Sequence, residues 1–211
     1  MAKFSIVPGL TFVDRQGWRA DKDLPRKGRK VARSRRTHMI IHHTVIIDGD
    51  DRTPNLWERE SAIFKNMRKL QVVRESDLGA DVPYNFVAYF VKKGDGVYIC
   101  EGRGEDRTGA HTKGHNTSGI AISIAGDFEN ETISGIEFSK RMHLISAFMG
   151  WLKFGPSHDE YGKFKPMKNL GSLQPQGRRV FFHKDFKNTA CPGKLIEPHL
   201  TQLEFVNPQG L

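Results

Sequence analysis

His38-Met39-Ile40-Ile41-His42-His43-Thr44 is a short apolar run closed by polar residues, and it reads as a buried β-strand ending in two adjacent histidines. Side chains alternate faces along a strand, so His42 and His43 point to opposite sides. A second run of this kind lies far along the chain, from Arg179 to His183, and Thr189-Ala190-Cys191-Pro192-Gly193 follows it. His183 and Cys191 stand eight positions apart. One imidazole and one thiolate are two-thirds of a catalytic zinc site, and a histidine at the end of the first strand would complete it. Three protein ligands leave the fourth tetrahedral position open, as hydrolytic rather than structural zinc requires. Alternation alone does not choose between His42 and His43.

Helices and further strands interleave between these two runs. Thr53-Pro54 is a helix start, followed by Leu56, Ile63, Met67 and Leu70 at helical spacing. Residues 84–91 and 97–100 read as a β-hairpin across Gly94-Asp95-Gly96, with Tyr84 entering the sheet from its edge. Residues 119–125 form another buried strand. Ser134-Gly135-Ile136-Glu137 is a capping box for a longer helix striped by Phe138, Met142, Ile145, Met149 and Leu152. Residues 154–178 read as a long surface loop, and 195–205 as a short helical tail broken at Pro198. Interleaving of this kind predicts an α/β fold: a single domain with a mixed central β-sheet and helices packed on its faces.

The chain has 211 residues, enough for one substantial core. Residues 1–37 lack periodicity and read as an irregular basic N-terminal arm pinned by Trp18; residues 38–205 form the domain, and 206–211 a tail or linker start. The net charge is +9, and seven of the eleven residues from Arg26 to Arg36 are Arg or Lys. That tract is read first as a solvated arm and otherwise as an anion-binding stretch. No apolar run approaches the ~20 residues of a membrane span, and no signal-peptide layout opens the chain, so membrane insertion is not expected. Cys100 sits in an apolar strand pattern as a small buried hydrophobe, whereas Cys191 lies in a turn, where an exposed free thiol is a liability. A disulfide framework is not expected.

Five blocks in order carry a family resemblance over roughly residues 38–197: residues 40–44; Val82-Pro83-Tyr84-Asn85-Phe86; Glu101-Gly102-Arg103-Gly104 with Gly109-Ala110-His111-Thr112; residues 116–120; and His183 with residues 189–193. The chain resembles the zinc-dependent N-acetylmuramoyl-L-alanine amidases, the family shared by phage endolysins and peptidoglycan-recognition proteins. The resemblance implies that fold and Zn²⁺ held by His42, His183 and Cys191. It implies Tyr84 and Thr189 as catalytic residues and His43, Arg103, His111 and Asn116 as substrate contacts. Two departures stand out: Thr189 replaces the lysine of some phage enzymes, and Glu105 sits where recognition proteins often carry a large aromatic.

The implied activity is hydrolysis of the amide between N-acetylmuramic acid and the L-alanine of the stem peptide. The expected partners are bacterial peptidoglycan and, from the charge, anionic wall polymers. A phage endolysin is expected, acting as a monomer, made in the host cytoplasm without a signal peptide and reaching the wall through a phage-made membrane lesion. A non-catalytic recognition module of the same fold and a cytosolic recycling amidase are the alternatives. A specific nucleic-acid partner is not expected, because no zinc-finger or RNA-binding fingerprint accompanies the basic tract.

Overall fold

The strand-forming runs assemble into one seven-stranded sheet in the computed structural model, which describes residues 3–46, 55–73, 80–130, 136–155 and 165–208. Its strands are β1 (Lys3–Val7), β2 (Leu10–Val13), β3 (His38–His43), β4 (Phe86–Phe90), β5 (Val97–Glu101), β6 (Gly119–Ile124) and β7 (Val180–Phe182), in the spatial order β1-β2-β5-β4-β6-β3-β7. The pairs β1/β2 and β4/β5 are antiparallel, and β2/β5, β4/β6, β6/β3 and β3/β7 are parallel. The sheet is therefore mixed, as expected. The β4–β5 hairpin crosses Gly94, whose φ of 68° lies in the left-handed region that a glycine enters without strain.

Two helices bury the two faces. Phe86, Ala88 and Phe90 of β4 pack with Met142, Phe148 and Trp151 of α2 (Phe138–Phe154), while Val87 and Tyr89 pack with Ile63, Met67 and Leu70 of α1 (Glu60–Val72). Strand alternation divides the core in this way. α2 is buried on more than its predicted stripe, because the chain from Glu197 onward covers its back; the Val206 carbonyl lies where a Cβ at Gly150 would be. A side chain at Gly150 would push that segment off the helix.

Several expectations need correction. Residues 3–13 are two strands of the sheet rather than irregular arm; β2 buries Leu10, Phe12 and Val13 against the core. Thr53-Pro54 lies outside the described residues, and α1 begins only at Glu60. The backbone of Trp57 is committed to pairing beside Val91, donating to the Phe90 carbonyl at 2.7 Å, so the helix cannot start before it. Ser134 also lies outside the described residues, and α2 is capped by the Glu137 carboxylate accepting from the Ser139 amide. Within the predicted surface loop, Met167 and Leu170 are buried. Tyr84 lies just before β4, the middle strand, not at a sheet edge.

The basic tract is partly turned inward. Arg36 is fully buried and donates to the carbonyls of Glu105 (3.1 Å), Asn116 (3.2 Å), Thr117 (3.0 Å), Gly119 (2.8 Å) and Arg107. Arg26 pairs with Glu101 and Asp106, and Arg33 with Glu105. Burial lowers the Arg36 guanidinium to about 10, opposed by Glu105 and Asp106, so it stays charged at neutral pH. Neither a solvated arm nor a free anion tract describes these three arginines; Arg29, Lys30 and Arg35 remain exposed.

Arg36→Ala should cost about 3–5 kcal/mol in denaturant unfolding, because five carbonyls lose their donor, whereas exposed Arg35→Ala should stay within about 0.5 kcal/mol. His38, packed against Phe181 and His115, is lowered to about 4, by burial first and by His115 second. Because the unfolded imidazole titrates near ~6.5, the unfolded state takes the proton first. Stability is therefore complete above about pH 6.5 and falls from there toward pH 4, by up to about 3 kcal/mol from this residue. His38→Gln should flatten the dependence of the denaturant midpoint over that interval by about one proton.

Candidate metal centre

Parallel register places the two histidines side by side. β3 and β7 align Ile41 with Phe182, so one step further along both strands sets His42 beside His183, and their ring centroids lie 4.6 Å apart. His42 shares a face with Ile40 and is buried; His183 begins a short 3-10 turn (His183–Asp185) and is half-buried. That turn is fixed by the Asp185 carboxylate, which accepts from the Phe182 amide at 2.8 Å and pairs with Arg178.

Cys191 is delivered by a turn docked on the end of β6. Leu195 donates its amide to the Phe128 carbonyl at 3.1 Å, Lys184 to the Cys191 carbonyl at 3.1 Å, and Cys191 to the Thr189 hydroxyl at 3.3 Å. Gly193, at φ 98°, lets the turn approach the Phe128 backbone, where any Cβ would clash. The thiol that looked exposed in a turn is buried as a result.

The Nδ1 atom of His42 lies 3.6 Å from Cys191 Sγ, and one ligand atom from each of His42, His183 and Cys191 falls within 4.8 Å of the others. Zn–N and Zn–S bonds of about 2.05 and 2.3 Å at a tetrahedral angle subtend an edge of about 3.6 Å. Of the two adjacent histidines, His42 is the one that joins this cluster. His43 turns to the other face, where its Nδ1 accepts from the Phe128 amide at 3.2 Å, while its backbone amide donates to Cys191 Sγ at 3.5 Å.

Burial lowers both His42 and His183, so each presents a neutral imidazole with a free lone pair. Burial pushes the Cys191 thiol up to about 12, against the lowering bond from the His43 amide. Two neutral imidazoles and a thiol that can give up its proton suit a cation, and the N₂S set suits zinc.

The remaining predicted residues surround this centre. The Tyr84 ring lies 5.3 Å from that of His42, and its hydroxyl donates to the His43 carbonyl at 3.5 Å. Asn85, fully buried, anchors that position by donating to the Gly104 and Arg107 carbonyls and accepting from the Ala121 amide. Thr189 is half-buried at the Cys191 turn. Arg103 is buried, donating to the Val82 carbonyl at 3.0 Å beside Asp81. His111, expected on a substrate rim, is buried with its ring 5.1 Å from that of His42, and the Asn116 side-chain oxygen accepts the amides of His111 and Thr112. The sequence reading assigned no role to Thr112, whose hydroxyl lies 3.4 Å from His42 Nε2, or to Asn85. Membership of the Gly109-Ala110-His111-Thr112 block was the available signal for Thr112, since no periodicity applies in that loop.

No family model matches the chain. Peptidoglycan-recognition protein SC2 of Drosophila simulans is 27% identical over 197 residues, covering 90% of this chain and 84% of that protein. The N-acetylmuramoyl-L-alanine amidase of Homo sapiens is 39% identical over 64 residues, 30% of this chain and 10% of that protein. Among solved structures, wild-type Drosophila PGRP-LB superposes with a TM-score of 0.65 at 19% identity, covering 93% of this chain and 95% of that one. Peptidoglycan recognition protein-LE, solved in complex with tracheal cytotoxin, gives 0.62 at 20% identity over 97% and 100%. The fold is therefore that of these proteins.

Zinc should raise the unfolding midpoint of the metal-free protein in a concentration-dependent way, by about 2.7 kcal/mol of stability at a hundredfold excess over Kd. Cys191→Ala should abolish that increment. A variant that keeps it would remove the thiolate from the ligand set.

Proposed function

We propose that this chain, whose homologues are members of the peptidoglycan-recognition protein and N-acetylmuramoyl-L-alanine amidase family, is itself a zinc amidase of bacterial peptidoglycan. The observation that carries the reading is the His42, His183 and Cys191 cluster with Tyr84 beside it. Recognition alone would not need three converged donors. Peptidoglycan as ligand is supported by the names of the relatives and by a neighbour solved with a diaminopimelic acid-type fragment.

The bond to be cleaved joins the lactyl carbonyl of N-acetylmuramic acid to the nitrogen of L-alanine. The oxygen of one water ends on the lactyl carboxylate, the C–N bond breaks, and a proton from that water ends on the alanine amine. An amide is a poor electrophile, so the site must supply both an activated nucleophile and charge stabilisation at the carbonyl oxygen. Zinc, when bound, supplies Lewis acidity, which polarises a carbonyl and lowers the pKa of water from about 15.7 toward about 7.

The protein's own groups do the rest. His42 and Cys191 form the closed back of the centre, and the half-buried His183 and Tyr84 its open side, so substrate enters past these two. The Tyr84 hydroxyl spends its proton on a long 3.5 Å contact to the His43 carbonyl and can exchange it for a developing oxyanion at small cost. Thr189 accepts from the Cys191 amide, which leaves its hydroxyl proton available to donate. A neutral hydroxyl at Thr189 brings a hydrogen-bond donor but no positive charge to the carbonyl oxygen.

The wider role we propose is a lytic enzyme of phage type, supported by the net charge of +9 and by Arg29, Lys30 and Arg35 remaining exposed to an anionic wall.

Digestion of purified peptidoglycan should release new L-alanine amino termini without new reducing sugar ends, be lost on chelation and return with zinc. Tyr84→Phe should lower kcat by about 10²–10³ while leaving zinc affinity unchanged. Full activity in that variant would end the donor role. A protein that binds zinc and pellets with the wall but releases nothing would be a recognition module.

A further inference from the structure

An imidazole has two ring nitrogens, and only one can face a metal. In His42 the nitrogen toward Cys191 Sγ is Nδ1, so the other, Nε2, must be held where it carries the proton. It points at Thr112 Oγ1, 3.4 Å away, in a pocket where both side chains are buried. On its other side the same hydroxyl lies 3.0 Å from His111 Nδ1. A hydroxyl has two lone pairs and one proton, so Thr112 can accept from His42 and still bond to His111.

We propose that Thr112 is a positioning residue: its hydroxyl accepts the Nε2 proton of His42 and so fixes the tautomer and ring angle in which Nδ1 ligates the metal. This rests on the metal reading given above. The His111 imidazole backs the hydroxyl and is itself buried against Gly109, where a Cβ would collide with the ring. The hydroxyl is held independently of any metal. The Asn116 side-chain oxygen accepts the backbone amides of His111 (2.8 Å) and Thr112 (3.1 Å), and Arg36 in turn binds the carbonyls of Asn116 and Thr117. The buried arginine of the basic tract, six residues before His42, therefore braces the distant loop whose Thr112 oxygen orients that histidine.

The alternative is that Thr112 merely fills space. Thr112→Val keeps the shape and removes the oxygen, whereas Thr112→Ser keeps the oxygen and removes a methyl. Zinc affinity, measured by competition with a chromophoric chelator, should fall about 10–100-fold in Thr112→Val and remain within about threefold of the parent in Thr112→Ser. A space-filling role predicts the reverse order, and equal affinity in all three proteins overturns the proposal. If the parent binds no zinc, the metal reading itself fails, whereas parent binding with an unaffected Thr112→Val sinks only the role of Thr112. The tautomer is measured separately on the zinc-loaded parent by long-range ¹⁵N–¹H correlation, which decides the matter even if a variant does not fold. A proton on His42 Nε2 is expected; a proton on Nδ1 overturns the assignment.

Discussion

The parallel pairing of β3 with β7 is the constraint on which the centre depends. Its register, Ile41 opposite Phe182, brings the end of β3 beside the turn that opens with His183, and so makes His42 and His183 neighbours. A slip of one residue would turn every side chain of β7 to the other face. Such a slip would exchange the surroundings of Phe181, packed against His38 and Phe186, and Phe182, packed in the main core, so packing on both faces enforces the register that sets His42 near His183. β6 pairs with the other edge of β3 over its full length, His38 with Gly119 through His43 with Ile124, and fixes where that strand ends.

The second half of the site is built from irregular backbone, and irregular backbone must have its polar groups satisfied internally when buried. Three buried side chains do this. Asn85 ties the Tyr84 position to residues 104 and 107, Arg36 ties residues 105–119 to the start of β3, and Asn55 holds the end of β6 through the carbonyl and amide of Asp127. Each uses several donors or acceptors on backbone groups that no strand partner reaches. The positive charge that looked like a surface property is thus partly a folding device, and the surface left to meet an anionic polymer is smaller than the composition suggests.

Burial gives the centre its chemical character. Desolvation opposes the charged form of every ionisable group there, so the imidazoles stay neutral and the thiol is held protonated. Under the proposed metal reading those same groups would become ligands once a cation offset the desolvation, which would link metal affinity to proton release. Openness is confined to the side of His183 and Tyr84, and the closed side is lined by Thr112 and His111.

Local pattern in the sequence determined the strands around His42 and His183, the hairpin of residues 86–101, the two covering helices and hence the mixed α/β class, because hydrophobic period and turn residues are local properties. The ligand trio was legible only through order: His42, His183 and Cys191 matched a family pattern, while alternation left His42 and His43 equivalent. Tertiary structure chose between them, through the Phe128 amide that occupies His43. It also turned Arg36 inward, brought residues 3–13 into the sheet, delayed α1 to Glu60 and placed Thr112 behind His42. Each of those outcomes depends on a partner dozens of residues away, and neither periodicity nor composition carries information over that distance.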